Sequence, residues 1–263
     1  MVTTVLKTLF IPMQDYAADI EHETNRWFDR DHVPERLSCA GFLGCERFQL
    51  TDIEPPGWNS RMRWFKYLNV YTVEGPEVLS SEAYRHQTEQ PPGPWMARWL
   101  AADRAADMGE LYARRSTARR WSIRSLWCQR ASTWRPNPVR MPPPRAVYVV
   151  LRDVDPAHDE AFNQYMDEEA VPELLSCPGF LGCERYQAAA QAPMPMPGEP
   201  AAMPHPGYMD VFDIETPEVL TNPVFWKLCA SPSPRARTLE PHCQVRGMGV
   251  YLQRPSPWLV QLS

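Results

Sequence analysis

The sequence predicts an α+β protein built from two copies of one unit, in which the elements follow the order β-α-β-β-α-β. The first observation is an internal repeat: NRWFDRDHVPERLSCAGFLGCERF (residues 25–48) returns as NQYMDEEAVPELLSCPGFLGCERY (residues 163–186), with 15 of 24 positions identical. The second is that 7 of 13 positions match between residues 67–79 and residues 208–220. The offsets of 138 and 141 residues are too long for a solenoid and indicate a duplicated domain.

Length and charge limit the classes of function. A chain of 263 residues suits two units of roughly 100 to 130 residues, each able to bury a core. A net charge of −5 favours neither nucleic acid nor an anionic membrane as a partner. The N-terminus, MVTTVLKTLFIPM, is typical of a first strand and not of a signal peptide. We therefore expect a cytoplasmic protein.

Seven cysteines form an odd set, so a complete disulfide framework within one chain is excluded. Cys39 and Cys45 recur as Cys177 and Cys183, and this C-x5-C spacing matches no common zinc signature. Free cysteine packs as a small apolar residue. The pattern predicts buried thiols and no metal site.

The first strand and helix of each unit are predicted from β-branched content and helix-start signals. The strands are expected at Val5–Ile11 and Arg145–Leu151. Asp155 followed by Pro156 marks the start of the helix in the second unit. Prolines at 34 and 172 are expected to interrupt the helices and open a short second turn.

The rest of each unit follows from its turn residues. Glycines at 41 and 179 should close the short helical turn, and the Pro-Glu-Val-Leu sequences at 76–79 and 217–220 should open another helix. The further strands are predicted at Phe42–Leu50, Phe180–Ala188, Tyr67–Val73, Tyr208–Ile214, Leu111–Arg114 and Val250–Gln253. The Ala/Pro/Met-rich run 189–207 is expected to be a surface excursion.

These assignments predict a first unit at residues 1–114, a linker at 115–144 and a second unit at 145–263. The segment 114–144 holds eight arginines, three tryptophans and no acidic residue. It could bind single-stranded nucleic acid, or it could wrap around the acidic body of the protein. The net negative charge favours the second interpretation.

A helix ending in W-F-D-x-x-H-V-P-E, followed by G-F-L-G and a strand with E-R-F, resembles the dimeric α/β-barrel superfamily and, within it, EthD-like proteins. The resemblance covers nearly all of both units. It implies that two ferredoxin-like units pair their sheets into an α/β barrel wrapped by helices, here within one chain. Pairing would cover the apolar face and the open edges that a single four-stranded sheet leaves in water.

The resemblance implies several activities. Relatives include cofactor-free monooxygenases, lactone isomerases, polyketide cyclases and haem proteins, and many hold an aromatic or apolar molecule between sheet and helices. One fold hosts many chemistries, so the function has to be argued from particular residues.

His32 is the first catalytic candidate. It follows Asp29 by three residues and Phe28 by four, so the three share one side of a helix, and a carboxylate there could orient the imidazole. The resemblance implies a histidine that points into the cavity. The second unit has Ala170 at this position but keeps an aspartate, Asp167, so a purely structural role for Asp29 stays open.

His86 is the second candidate, because some cyclases of the superfamily place a catalytic histidine on the second helix. Its counterpart in the second unit is Lys227. The competing interpretation is that each histidine caps a helix or binds a surface carboxylate. Because both histidines occur only in the first unit, the pocket of the second unit is expected to be narrowed or inert.

Further side chains are candidates for substrate contact or for structure. The substrate-binding candidates are Trp27, Phe28, Asp31, Tyr67 and Tyr84, and the aromatic ones could instead belong to the core. Glu46 and Arg47 recur as Glu184 and Arg185, which suggests a structural ion pair across strands or units.

The sequence therefore supports an enzyme that needs no organic cofactor and uses general acid-base chemistry on a small aromatic or polyketide-like molecule. Isomerase, cyclase and lyase reactions need only a placed base and a dry pocket. His32 would move the proton, and Asp29 or Asp31 would orient it. The alternatives are a cofactor-free monooxygenase and a non-catalytic module that binds a small ligand or haem. Association of such barrels into homo-oligomers stays open.

Overall fold

The computed structural model describes residues 8–16, 18–89, 117–130, 146–188 and 206–255, and for residues 117–130 the description is of the backbone. The strand predicted at Leu111–Arg114 and nearly all of the Ala/Pro/Met-rich run lie outside these ranges. None of the helices in the described ranges is long and apolar enough to cross a membrane.

Eight strands close into an antiparallel barrel, so the fold is α+β as predicted. They are β1 (Thr8–Asp15), β2 (Phe42–Leu50), β3 (Tyr67–Val73), β4 (Thr117–Arg130), β5 (Ala146–Val154), β6 (Phe180–Ala188), β7 (Tyr208–Ile214) and β8 (Cys243–Gln253). Around the barrel the order is β1-β3-β2-β8-β5-β7-β6-β4. Strands β4-β1-β3-β2 and β8-β5-β7-β6 therefore follow the same order in the two halves of the chain.

The helices lie between these strands in sequence. They are α1 (Ala18–Trp27), α2 (Val33–Leu37), α3 (Glu82–Glu89), α4 (Asp159–Tyr165), α5 (Val171–Ser176), α6 (Pro223–Ala230) and α7 (Pro234–Leu239). Short 3-10 turns cover Ser60–Met62, Pro76–Ser80, Pro156–His158, Pro217–Thr221 and Glu240–His242, and π-helical turns cover Phe28–His32 and Met166–Ala170.

The predicted interruption at the two prolines takes the form of a widened turn. The π-helical turn Phe28–His32 joins α1 to α2 without a break, and Val33 N–H donates to the carbonyl of Phe28. A proline ring collides with the carbonyl four residues earlier in a regular α-helix, and a wider turn is the way a helix accommodates such strain. The second half repeats the arrangement before Pro172.

Three apolar clusters form the core. One lies between the first-half strands and their helices and contains Phe10, Phe28 and Tyr71. A second contains the corresponding second-half side chains, with Phe162 and Phe212 among them. The third cluster joins residues of both halves inside the barrel, which buries the apolar inner faces of all the strands that contribute to it.

The predicted closing glycines are required by geometry. Gly41 has φ +89°, and a Cβ atom there would lie 2.5 Å from Cγ2 of Val78. Gly179 has φ +92° and the same relation to Val219 at 2.4 Å. Only glycine adopts this backbone conformation without strain, so the two turns share one requirement.

The predicted linker was wrong in part, because β4 lies within it. Strand β4 pairs with β1 along Thr8–Asp15 and with β6 on its other side, so it closes the barrel between the two halves. Strand β8 also begins earlier than the predicted Val250.

Candidate functional site

His32 ends the π-helical turn and is half-buried. Its ring centroid lies 4.5 Å from that of Trp27 and 4.8 Å from that of Phe28, and both of these aromatic side chains are buried. The chain therefore holds a titratable group against an apolar wall, at the edge of the packed layer between helix and sheet.

Asp31 and Glu35 are two carboxylic acids on the helical segment that carries His32. Oδ2 of Asp31 is buried and has no hydrogen-bond partner among the described residues. Burial, followed by the charge of Asp31, raises the pKa of the Glu35 carboxyl. An unsatisfied buried oxygen is rare in folded proteins and marks a place where a water molecule or a ligand completes the hydrogen bonding.

Asp29 has a structural partner in Arg47. Arg47 is 1% exposed, and its Nη1 donates to Asp29 Oδ1. The second half repeats the bond between Arg185 Nη1 and Asp167 Oδ1, at 2.7 Å. A buried guanidinium needs a compensating charge, and the repetition supports the structural role that the sequence left open for Asp29.

Asparagines complete the two arginine networks. Arg47 Nη2 donates to Asn25 Oδ1 at 2.7 Å and its Nε donates to Asn69 Oδ1 at 2.8 Å. The guanidinium also stacks over the ring of Phe28, 4.8 Å from its centroid. The helix that carries His32 is thereby fixed to strands β2 and β3.

The sequence suggested an ion pair across strands or units at the repeated Glu-Arg positions, and in the second half Arg185 forms one across strands with Asp210 of β7. Adjacent residues of a strand face opposite sides, so Arg47 faces the helices while Glu46 faces the interior of the barrel. Glu46 Oε1 instead accepts a hydrogen bond from Gln253 Nε2 of β8, at 3.2 Å.

The aromatic candidates are part of the core. Trp27, Phe28, Tyr67 and Tyr84 are each less than 10% exposed and belong to one buried cluster. Tyr67 donates its hydroxyl proton to Glu21 Oε1. Of these four, Trp27 and Phe28 contact the imidazole of His32 and stay candidates for contact with a substrate.

His86 lies on α3 and is exposed. Tyr84 of the same helix is buried and stacks on Phe42, with ring centroids 5.8 Å apart. The structure thus gives the two candidate histidines different environments, half-buried for His32 and solvent-facing for His86. The catalytic assignment of His86 stays a prediction.

A cavity of about 220 Å³ lies inside the barrel, between strands of the two halves. Its polar lining comes from Glu46, Thr72, Glu184, Tyr186 and Asp213, and its apolar lining from Leu9, Phe48, Leu68, Val70, Val147, Val149, Met209 and Val211. A cavity of about 150 Å³ is enough for benzene, so this one has room for a molecule with a single ring.

The cavity is more polar on its second-half side. Tyr186 and Asp213 stand where the first half has Phe48 and Thr72, and the Tyr186 hydroxyl donates to Glu184 Oε2. Sequence reasoning missed this site because it treated the paired glutamates as structural. The available signal was Glu46 itself, a charged residue at an inward position of a predicted strand.

The repeated thiols are buried, as the sequence predicted. Cys39, Cys45, Cys177 and Cys183 are buried, and none of them forms a disulfide within the described residues. Burial raises the pKa of Cys39 and Cys177 above the ordinary thiol value. A protonated thiol is a poor nucleophile, so these side chains are suited to packing and not to covalent catalysis.

No protein-family model matches the chain, and no curated protein matches its sequence. Among solved structures, the chain is similar to an anthrone oxidase-like protein, with a TM-score of 0.56, 9% identity, and coverage of 98% of this chain and 95% of that chain. It is also similar to a mutant chlorite dismutase from Candidatus Nitrospira defluvii, with a TM-score of 0.50, 11% identity, and coverage of 97% and 93%.

At these identities the similarity concerns the fold. It extends over nearly the whole chain and shows a shared fold, and the resemblance to the dimeric α/β-barrel superfamily beyond that fold stays a prediction. The narrower EthD-like resemblance stays a prediction.

Proposed function

We propose that the protein is an enzyme that needs no organic cofactor and uses general acid-base chemistry on a small aromatic or polyketide-like molecule. The reaction would be an isomerisation, a cyclisation or a lyase reaction, each of which requires a placed base and restricted access of water. The observation that carries the proposal is the environment of His32, a half-buried imidazole against the rings of Trp27 and Phe28. The preceding residue is Asp31, whose Oδ2 is buried without a hydrogen-bond partner among the described residues.

The three groups around His32 have distinct roles in this proposal. The neutral imidazole takes a proton from the substrate and returns it at another position, so that no net proton is gained or lost. Asp31 Oδ2 accepts a hydrogen bond from a substrate hydroxyl, which orients the molecule and satisfies the buried oxygen. Trp27 and Phe28 provide an apolar wall next to the imidazole, and exclusion of water there strengthens both polar contacts.

The second half supplies an internal comparison. Glu169 occupies the position of Asp31, and its Oε1 is likewise buried without a hydrogen-bond partner among the described residues. Ala170 stands in place of His32, so this half has the carboxylate without the imidazole. This difference supports catalysis in the first half and an inert or narrowed counterpart in the second.

Two features support an intramolecular barrel of two ferredoxin-like, EthD-like units that arose by duplication. One is the repeat of 15 identical positions in 24, and the other is the identical order of strands in the two halves. In such a barrel the chain supplies both units, and further association into oligomers is not needed to complete the site.

Cofactor-free oxygenation is a second candidate for the same residues. The neighbour named as anthrone oxidase-like favours it, because an anthrone is an electron-rich aromatic molecule. His32 would remove a proton from the substrate, and the resulting anion would transfer electrons to dioxygen. Both candidates share the first step and differ in whether oxygen is consumed.

A non-catalytic role in binding a small ligand is a third candidate, favoured by the cavity inside the barrel. Its lining combines apolar walls with three acidic side chains, which suits a small apolar molecule that carries hydrogen-bond donors. Replacing Val149 with phenylalanine would fill this cavity and leave the surroundings of His32 unchanged. A ligand that still binds to Val149→Phe does not occupy the cavity.

The test is turnover of a panel of anthrones, naphthols and other small phenols, with oxygen uptake recorded in parallel. We expect His32→Gln to lower turnover by about 10² to 10⁴, the contribution typical of a general base. The matched control is His22→Gln, which changes an exposed histidine on α1. Equal turnover in the two variants would contradict the role of His32, and oxygen uptake that accompanies turnover would favour the monooxygenase.

A further inference from the structure

Three side chains of the kinds that ligate metals converge in the second half, outside the site around His32: Asp155 and His158 are three residues apart, and His242 comes from a distant loop. Asp155 follows β5, His158 ends the 3-10 turn Pro156–His158, and His242 ends the turn that precedes β8. Their ligand atoms all lie within 4.8 Å of one another. Asp155 Oδ2 is 3.5 Å from Nδ1 of His158 and 3.8 Å from Nδ1 of His242.

The backbone holds these side chains in place. The Asp155 N–H donates to the carbonyl of His242 at 2.9 Å, which ties the two loops together. Oδ1 of Asp155 accepts from the N–H of Ala157 at 3.1 Å, so Oδ2 is the oxygen directed at the histidines.

The two imidazoles lie against each other, and one of their nitrogens lacks a hydrogen-bond partner among the described residues. Their rings stack face to face, with centroids 3.5 Å apart and planes 11° apart. Nδ1 of His158 is buried and has no hydrogen-bond partner among the described residues. A lone pair in that position is satisfied by a cation or by a donor from solution.

We propose that Asp155, His158 and His242 form a binding site for a divalent transition-metal ion, with Zn²⁺ as the best fit. Two imidazole nitrogens and one carboxylate oxygen are ligands that Zn²⁺ prefers, and solvent completes a tetrahedral set. Two ligands at about 2.1 Å from one Zn²⁺ lie roughly 3.4 Å apart in tetrahedral geometry. The two separations between the carboxylate and the imidazole nitrogens, 3.5 and 3.8 Å, are close to this value, whereas the stacked rings have to rotate so that both nitrogen lone pairs point at one ion.

The ion would link neighbouring strands of the barrel. Val154, directly before Asp155, pairs with Cys243, directly after His242, in the ladder between β5 and β8. A metal bound there fastens the open end of this ladder. Because the unfolded chain does not hold the three ligands together, binding stabilises the folded state.

The test is a titration of the full chain, without a histidine tag, with Zn²⁺ alone and with Co²⁺ as a spectroscopic probe. Because the exposed thiol of Cys229 competes for Zn²⁺, the titration is made in a Cys229→Ser background. We expect one ion per chain, and a melting temperature that rises by about 5 °C when free Zn²⁺ is about 100 times its Kd. Bound Co²⁺ should show no thiolate charge-transfer band.

Three single variants, Asp155→Asn, His158→Gln and His242→Gln, identify the ligands. Each should weaken binding by about tenfold or more, since even changes outside the ligand set cost metal sites this much. His22→Gln is the control, because it removes another exposed histidine and should leave the affinity unchanged. The proposal would be overturned if the parent chain bound no ion, or if the three variants bound the ion as tightly as the parent chain does.

Discussion

Arg185 and Asp210 form a buried ion pair, with 3.2 Å between Nε and Oδ1, at the position where Arg47 of the first half meets the neutral Asn69. Asp210 is fully buried and also accepts from Arg152 Nε at 2.8 Å. Equivalent positions in the two halves thus carry different charges. The second half has an acid where the first has an amide, and an additional arginine balances it.

This relationship predicts the cost of removing the acid. Asp210→Asn leaves two arginines against a neutral side chain, and breaking a buried pair in this way costs about 3 to 5 kcal/mol. The double variant Arg152→Gln with Asp210→Asn reproduces the first-half arrangement, where Gln14 occupies the position of Arg152, and should recover most of the loss. Urea denaturation of the single and double variants measures both values. A single variant as stable as the parent would contradict the prediction.

The closing glycines predict a difference between two similar substitutions. Gly41→Ala places a methyl group 2.5 Å from Val78 at a backbone φ of +89°, whereas Gly57 has φ +77° and nothing within 4 Å of the new methyl group. Gly57→Ala should therefore cost about 1 to 2 kcal/mol from the left-handed backbone alone. Gly41→Ala should cost more, because the contact adds to the backbone term. Equal losses in urea denaturation would show that the turn relaxes around Val78.

Much of the fold could be predicted because the local signals agree with the final structure. The predicted bounds of Phe42–Leu50, Tyr67–Val73, Phe180–Ala188 and Tyr208–Ile214 coincide with the observed strands, since each is bounded by turn residues and contains β-branched or aromatic side chains. Strand β4 was missed because its two partner strands come from different halves. Its pairing is decided by closure of the barrel and not by local sequence.

The site could be predicted only where its residues are close in sequence. Helical spacing grouped His32 with Asp29 and Phe28; the ring of Phe28 does contact the imidazole, whereas Asp29 binds Arg47. The cavity is lined by Glu46 and Glu184, which are 138 residues apart, and the candidate metal cluster joins Asp155 and His158 to the distant His242. Such groups form only when the barrel closes.

Ionisation of Tyr67 predicts a loss of stability at high pH. Burial, followed by the hydrogen bond to Glu21, raises the pKa of Tyr67 to about 12, against an ordinary value of about 10. Between pH 10 and pH 12 the unfolded chain loses this proton while the folded chain keeps it, so the contribution is complete below pH 10 and is lost as the pH passes 12. Tyr67→Phe should reduce the slope of unfolding free energy against pH in this range by the equivalent of up to one proton. The ionisation of Tyr67 can be monitored by the difference in ultraviolet absorbance between the parent and Tyr67→Phe during a pH titration. Ionisation near pH 10 would disprove the raised pKa of Tyr67.

The closure of the barrel predicts that the two halves stay together after the chain between them is cut. Strand β4 pairs with β6, and β2 pairs with β8, so hydrogen-bonded ladders cross both seams between the halves. The hydroxyl of Tyr251 adds a bond across one seam, donating to the carbonyl of Phe65 at 2.9 Å.

A protease site inserted between β4 and β5 would allow this test on the folded protein. After cleavage, the two fragments should elute together in size-exclusion chromatography without denaturant and separate in urea, because the apolar interior is shared by both halves. Tyr251→Phe with Phe48→Ala should weaken the association, since the first change removes the bond across the seam and the second removes a buried ring from the shared interior. Fragments that separate without denaturant, each as a folded monomer, would show that the halves are independent domains and that the barrel is not their common core.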